Sequence, residues 1–186
     1  MKNILNNLNE MDINFLKENI SDFYEYSSNK KLYEFMGELT PHSSKQETYR
    51  YFEGLINCET VHIFPIIFED KKVIGSVSLT LENKKRNIWL IGFASSPLYS
   101  GLPIVVLTIA SVIWTAFKTY NVRRLEGMAQ IDNLKSQNLL QGLGFKEEGI
   151  KRFFYKAKDH DYLHAKTYSL FREDFSLSRK FKRLSK

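Results

Sequence analysis

Four histidines and one cysteine are the side chains of this chain best suited to chemistry near neutral pH. His42 and His62 stand alone in the sequence, while His160 and His164 lie four residues apart in a segment that reads as a strand. That spacing keeps one strand face but separates the two by about 13 Å, too far to share a metal ion. No metal site is expected, and His164 reads as a half-buried strand residue. Cys58 could serve as a nucleophile, but a lone cysteine just before a strand reads better as a small core residue. One cysteine also excludes an intramolecular disulfide, which suits a reducing, cytoplasmic setting.

Charge narrows the partners. The net charge is +6, and much of the excess sits at the end, at Arg172, Arg179, Lys180, Lys182, Arg183 and Lys186. No helix pattern interleaves a basic stripe with aromatics, so no nucleic-acid partner is expected, whereas a basic pocket for a phosphorylated ligand is compatible with the same charge. From Ile88 to Phe117 there is no charged residue. Ser95-Ser96-Pro97 and Gly101 to Pro103 interrupt that stretch and leave an apolar run of about 15 residues, short of the ~20 that span a bilayer. No membrane partner is expected. The first dozen residues hold no apolar stretch of the secretory kind.

Any reactive group must be positioned by the elements around it, and these follow from periodicity. Ser21 to Ile56 reads as helical, broken at Leu39-Thr40-Pro41-His42, with Ser43-Ser44 and Glu47 forming a helix start. Val61 to Phe68, Val73 to Leu81 and Ile88 to Ala94 read as three strands joined by short polar turns, an antiparallel meander. A long apolar helix follows from Pro103 to Tyr120, its proline suited to the first helical position. Arg124 to Gln130 reads as a strand, Leu134 to Leu143 as a helix ended by Gly144, and Glu147 to Ala157 and Tyr162 to Phe171 as two closing strands. The strand–helix–strand crossover in the middle implies a parallel pair flanked by antiparallel ones. The expected organisation is one α/β domain over residues 1–175, with a basic tail at 176–186. Leu177, Phe181 and Leu184 in that tail leave room for a homodimer contact.

This order of elements resembles the GNAT fold of the general-control-related N-acetyltransferases. Asn133-Leu134-Lys135-Ser136, then Leu140, then Leu143-Gly144-Phe145 and Glu148-Gly149, resemble that family's Asn-x-x-Ser to Leu-Gly-Phe segment. Asp161-Tyr162 through Tyr168-Ser169-Leu170 look like the closing strand of the branch that acetylates ribosomal-protein N-termini. Tyr33 to Gly37 and Glu47 to Ile56 look like its paired acceptor-side helices. The resemblance covers residues 20–173. It implies a mixed, mostly antiparallel sheet with a splayed parallel strand pair, acetyl-CoA as co-substrate, and a small-molecule or peptide amine as acceptor.

The resemblance also implies a site. A pantetheine arm would pair with the free strand edge at Gly92, Phe93 and Ala94, and the pyrophosphate would rest at the start of the long helix. Asn133 and Ser136 would reach the arm or the thioester from the other side. The phosphate loop departs from the family pattern, reading Ser100-Gly101-Leu102-Pro103-Ile104-Val105 where a glycine-rich stretch is usual. Pro103 has no N–H and Val105 is branched, so Ser100, Gly101 and Leu102 are left as backbone donors in a shifted register. The family's catalytic glutamate falls at Met128, with Glu126 two residues earlier on the same face as a candidate base. In the ribosomal-protein branch the matching groups are Ser136, a proton donor to the departing thiolate, and Tyr155, a poor base with an ordinary pKa of about 10. Two other readings stay open: an acyl carrier protein as donor, and a binding protein that has lost catalysis.

Overall fold

The computed structural model describes residues 8–156 and 162–175; the basic tail and His160 lie outside them. Strands β1 (Val61–Ile67), β2 (Val73–Asn83), β3 (Ile88–Ser95), β4 (Arg124–Gln130), β5 (Lys146–Lys156) and β6 (Tyr162–Leu170) form one sheet in the order β1-β2-β3-β4-β6-β5. All neighbours are antiparallel except β3 and β4, which run parallel. The crossover helix between them, α4 (Pro103–Lys118), carries Pro103 at its start. The strand expectations hold to within one or two residues at each boundary.

Helices α1 (Ile13–Glu18), α2 (Ile20–Ser27) and α3 (Lys45–Ile56) lie on one face of the sheet, where Met11, Leu16, Phe23, Tyr26 and Phe52 pack with Ile63 and Val73. Helices α4 and α5 (Leu134–Gly142) lie on the other, over Phe64, Ile66, Val77, Leu79, Trp89, Ile91 and Leu125. The strand period of two supplies both faces: on β1, Ile63 goes to one layer and Phe64 to the other. Helix α4 is apolar nearly all round, as a helix covered on most sides must be; Ile109, Val112, Ile113 and Ala116 are fully buried.

Two local departures matter for the site. Helix α1 has no counterpart in the expected pattern; the Asp12 carboxylate starts it by accepting from the Phe15 N–H at 2.8 Å. Tyr33 to Gly37 is not a helix. A short 3₁₀ turn spans Lys30–Tyr33, and the chain turns at Gly37 with φ +64°. A Cβ at Gly37 would stand 2.8 Å from the Lys156 carbonyl oxygen, so this stretch lies against the end of β5. The positive φ at Gly37 ends any right-handed helix there. Helix α3 starts as expected: Ser44 Oγ accepts from the Glu47 N–H at 3.1 Å, and the Glu47 carboxylate reaches back to the Ser43 N–H at 2.6 Å.

Candidate active site

Strands β3 and β4 are paired only at their feet, at Ile88 with Arg124, Trp89 with Leu125 and Leu90 with Glu126. Beyond Leu90 they part, and β3 continues to Ser95 while β4 continues to Gln130 against β6. The gap leaves one edge of β3 without a strand partner. Which backbone groups face it follows from phase. The Ser96 N–H donates to the Ile74 carbonyl at 2.7 Å, so Ala94 and Gly92 exchange their hydrogen bonds with β2. The N–H and C=O groups of Ile91, Phe93 and Ser95 therefore point into the gap. The Arg124 N–H, donating to Asn87 C=O at 3.4 Å, agrees, because Asn87 shares their parity. Of the three expected edge residues, Phe93 presents its backbone to the slot; Gly92 and Ala94 flank it.

The far wall of the gap is the end of β4 and the start of α5. Asn133 caps α5, its Oδ1 accepting from the Ser136 N–H at 3.1 Å. Its carbonyl oxygen is thus engaged in the helix start. Ser136 is half-buried on the first turn of α5. Gln130, on the last residue of β4, is 6% exposed, and its side-chain oxygen has no hydrogen-bond partner among the described residues. A buried acceptor without a donor is costly. The sequence pattern did not mark Gln130, because only burial distinguishes it from a surface glutamine.

At the loop leading into α4, the Ser100 N–H donates to Pro97 C=O at 3.4 Å and the Leu102 N–H to Tyr99 C=O at 3.2 Å. Two of the three expected anion donors are therefore occupied by turns. The Gly101 N–H makes no hydrogen bond among the described residues, nor does that of Ile104 in the first turn of the helix. Gly101 sits at φ +86° with open space where a Cβ would be. Val105 is 5% exposed and packs inward, so its branch does not obstruct the loop surface. The residues present fit a phosphate ligand with a reduced donor set at the positive end of the α4 dipole.

The candidate bases are placed differently. Glu126 sits at the paired foot of β4, an interior strand, and accepts from Arg124 Nε at 2.6 Å. Arg124 also pairs with Glu148, which accepts from Ser169 Oγ at 2.7 Å. Arg124 holds the Glu148 carboxyl below the ordinary carboxylate range. Tyr155, near the end of β5, is pushed further up by burial and is no base near neutral pH. His164 accepts from the Phe153 N–H at 3.1 Å, supporting the irregular register between Lys151 and Tyr155.

On the α1–α3 face, beside the free end of β3, lies a cluster in which Tyr33 and Tyr51 fall in the stretches expected on the acceptor side, while Tyr26 and His42 were not marked as site residues. Tyr26 OH and Ser76 Oγ stand 3.3 Å apart, and Ser76 is the register partner of Ala94 on β3. Tyr33, its OH donating to Ser27 C=O at 2.8 Å, and Tyr51 flank His42, whose ring lies 6.4 Å and 5.1 Å from theirs. Burial pushes the Tyr33 hydroxyl up to about 12, with Tyr51 adding to the rise. Between Tyr33 and His42, Gly37 packs against the Tyr155–Lys156 end of β5.

A mixed sheet whose one parallel pair parts beside a helix N-terminus, roofed by short helices, is the architecture of the GNAT acyltransferases. The chain belongs to that family: residues 14–146 match the acetyltransferase (GNAT) domain model, and the protein is a GNAT-type N-acetyltransferase. It is 26% identical over 132 residues to the probable N-acetyltransferase YjcK of Bacillus subtilis, covering 70% of this chain and 71% of that one. It is 24% identical over 140 residues to the uncharacterized N-acetyltransferase p20 of Bacillus licheniformis, covering 75% and 70%. In fold it is similar to a GCN5-related N-acetyltransferase from Brucella melitensis, with TM-score 0.79 at 19% identity over 95% of this chain and 80% of that one. It is also similar to the spermidine N-acetyltransferase of Vibrio cholerae, solved with CoA and spermine, with TM-score 0.75 at 17% identity over 90% and 95%. No helix among the described residues is long and apolar enough to cross a membrane.

Proposed function

We propose that the protein transfers an acetyl group from acetyl-CoA to a primary amine on a small molecule or peptide, by direct attack within a ternary complex. The parting of β3 and β4 beyond Leu90 carries this reading, because it leaves the Phe93 edge free to pair with the donor's pantetheine amides. Gly101 and Ile104 would supply N–H donors to the pyrophosphate, and Gln130 Oε1 would accept from the arm. Ser136 would protonate the departing thiolate. Most of the rate would come from holding amine and thioester together and from backbone N–H groups polarising the carbonyl. The amine would enter beside the Tyr26–Tyr33–His42–Tyr51 cluster. The acetyl-CoA affinity measured by calorimetry, then a mass-shift screen of amines that includes spermidine and short peptides, tests this reading. An acetylated product supports it; no binding at millimolar acetyl-CoA overturns it.

The engagement of the Ser100 and Leu102 N–H groups favours a second reading, an acyl carrier protein as donor. Its phosphopantetheine carries one phosphate group where CoA carries a pyrophosphate, and so asks less of the loop. Acyl transfer from a loaded carrier but not from acetyl-CoA would select it.

A further inference from the structure

We infer that His42 is the general base for the acceptor amine, receiving its proton on Nε2 while the ring is held through Nδ1 by Thr48. The inference rests on the amine-acetylation reading above and adds the proton acceptor that reading lacks. Thr48 is fully buried and has one hydroxyl hydrogen. Its Oγ1 donates to Ser44 C=O at 3.1 Å and stands 3.0 Å from His42 Nδ1. The Ser44 carbonyl also accepts the Thr48 N–H, and both Oγ1 contacts are satisfied together when Nδ1 carries a hydrogen and donates it. Nε2 is then the unprotonated nitrogen with a free lone pair. The backbone is held as well, the His42 N–H donating to Ser27 C=O at 2.9 Å. A base oriented through its second nitrogen by a buried acceptor is the arrangement that nucleophile-activating histidines use.

Position and charge agree. His42 lies between Tyr33 and Tyr51, and both its N–H and the Tyr33 hydroxyl donate to Ser27 C=O, next to Tyr26, whose OH stands 3.3 Å from Ser76, the register partner of Ala94 on β3. Burial lowers its pKa below the usual 6.5 and outweighs the opposing pull of Glu47, so the ring is neutral at pH 7. The groups around it are Glu47 and Tyr51 from α3 and Tyr33 from the 3₁₀ turn. Glu47 is engaged by the Ser43 N–H and hydroxyl, each at 2.6 Å, and the tyrosines are protonated. Glu126 is bound to Arg124 at the foot of the strands, whereas His42 Nε2 makes no hydrogen bond among the described residues.

The step balances without another reactant. An ammonium acceptor gives one proton to His42 Nε2, and the freed amine attacks the thioester carbonyl. The C–N bond forms, the C–S bond breaks, and Ser136 gives its hydroxyl proton to the thiolate while taking up the second nitrogen proton. His42 returns its proton to water.

Two measurements test this. Side-chain ¹⁵N NMR of the full chain should show His42 neutral at pH 7 with hydrogen on Nδ1, titrating below 6.5, and Thr48→Val should abolish that tautomer preference. A ring charged at pH 7, or one carrying its hydrogen on Nε2, overturns the inference. In steady-state kinetics, His42→Gln should lower kcat by about 100-fold or more and remove the acid limb of the pH profile. The KM for acetyl-CoA should stay within about threefold, and imidazole should restore part of the activity of His42→Ala. An active wild type beside a His42→Gln variant with the same kcat and acid limb overturns this inference alone. A wild type that acetylates no amine overturns the proposed function with it.

Discussion

The same two strands, β3 and β4, are closed at one end of the molecule and open at the other. At the foot, Trp89 and Leu125 pair across the strands within the core, and Arg124 binds Glu126 and Glu148 on the opposite face. At the mouth, Phe93 and Ser95 have no strand partner on the side of the gap, and Gln130 keeps an unpaired oxygen. The foot spends its polar groups on itself. The mouth holds them in reserve. Stability and function are therefore carried by different lengths of one strand pair, and a substitution should report on one and leave the other nearly untouched.

The largest expected effect is at the foot. Leu125 is completely buried, and Leu125→Ala should cost about 2–5 kcal/mol, read as a lower urea midpoint at unchanged slope. An equal loss from a side-chain change at Ser136 would break the contrast. Next comes the mouth. Gly101→Val sets a branched residue at φ +86°, and acetyl-CoA affinity should fall at least about tenfold, equivalent to ~1.4 kcal/mol, as measured by calorimetry. Asn133→Ala removes the α5 cap and should cost about 1 kcal/mol of stability.

Smaller effects sharpen the same division. Glu126→Gln should leave kcat within about threefold and lower stability by no more than ~1 kcal/mol, because its partner Arg124 is at the foot and partly exposed. A kcat loss near 100-fold would instead make Glu126 the base and join the two ends. The smallest effect is in pH dependence. Glu148 is bound by Arg124 and then by Ser169, which depresses its folded pKa below 4.5. Its contribution to stability is complete above that value and is lost as the pH falls through the folded pKa. Urea titrations at neutral and at strongly acidic pH should show Glu148→Gln losing that increment at the neutral end only.

Much of the fold was legible in advance because its signals are local. Strand alternation, polar turns at Glu69–Lys72 and Glu82–Asn87, Pro103 at a helix start and Gly144 after one each act over a few residues. The failures were local signals overridden by contact. Tyr33 to Gly37 has helical spacing, but Gly37 packs on the Lys156 backbone and turns the chain. Asp12 starts a helix too short for periodicity to register. The site was less legible. Glu126 was named as a candidate from strand parity, which says which face a side chain takes and nothing of the arginine beside it. Ser100 and Leu102 were named as donors from loop position, which does not reveal that their N–H groups close turns.

The sequence by itself determined the element order, the two-faced strands and a crossover that makes one strand pair parallel, since these depend on periodicity and chain direction. Only the tertiary structure decided where that pair parts, which parity of β3 faces the gap and which polar atoms are left without partners. Those depend on register and burial, which arise when distant segments pack: Ser96 against Ile74 sets the phase of β3, and the α3 helix brings Thr48 Oγ1 to 3.0 Å from His42 Nδ1. A residue's type says what chemistry it can do; its neighbours across the fold decide whether that chemistry is already spent.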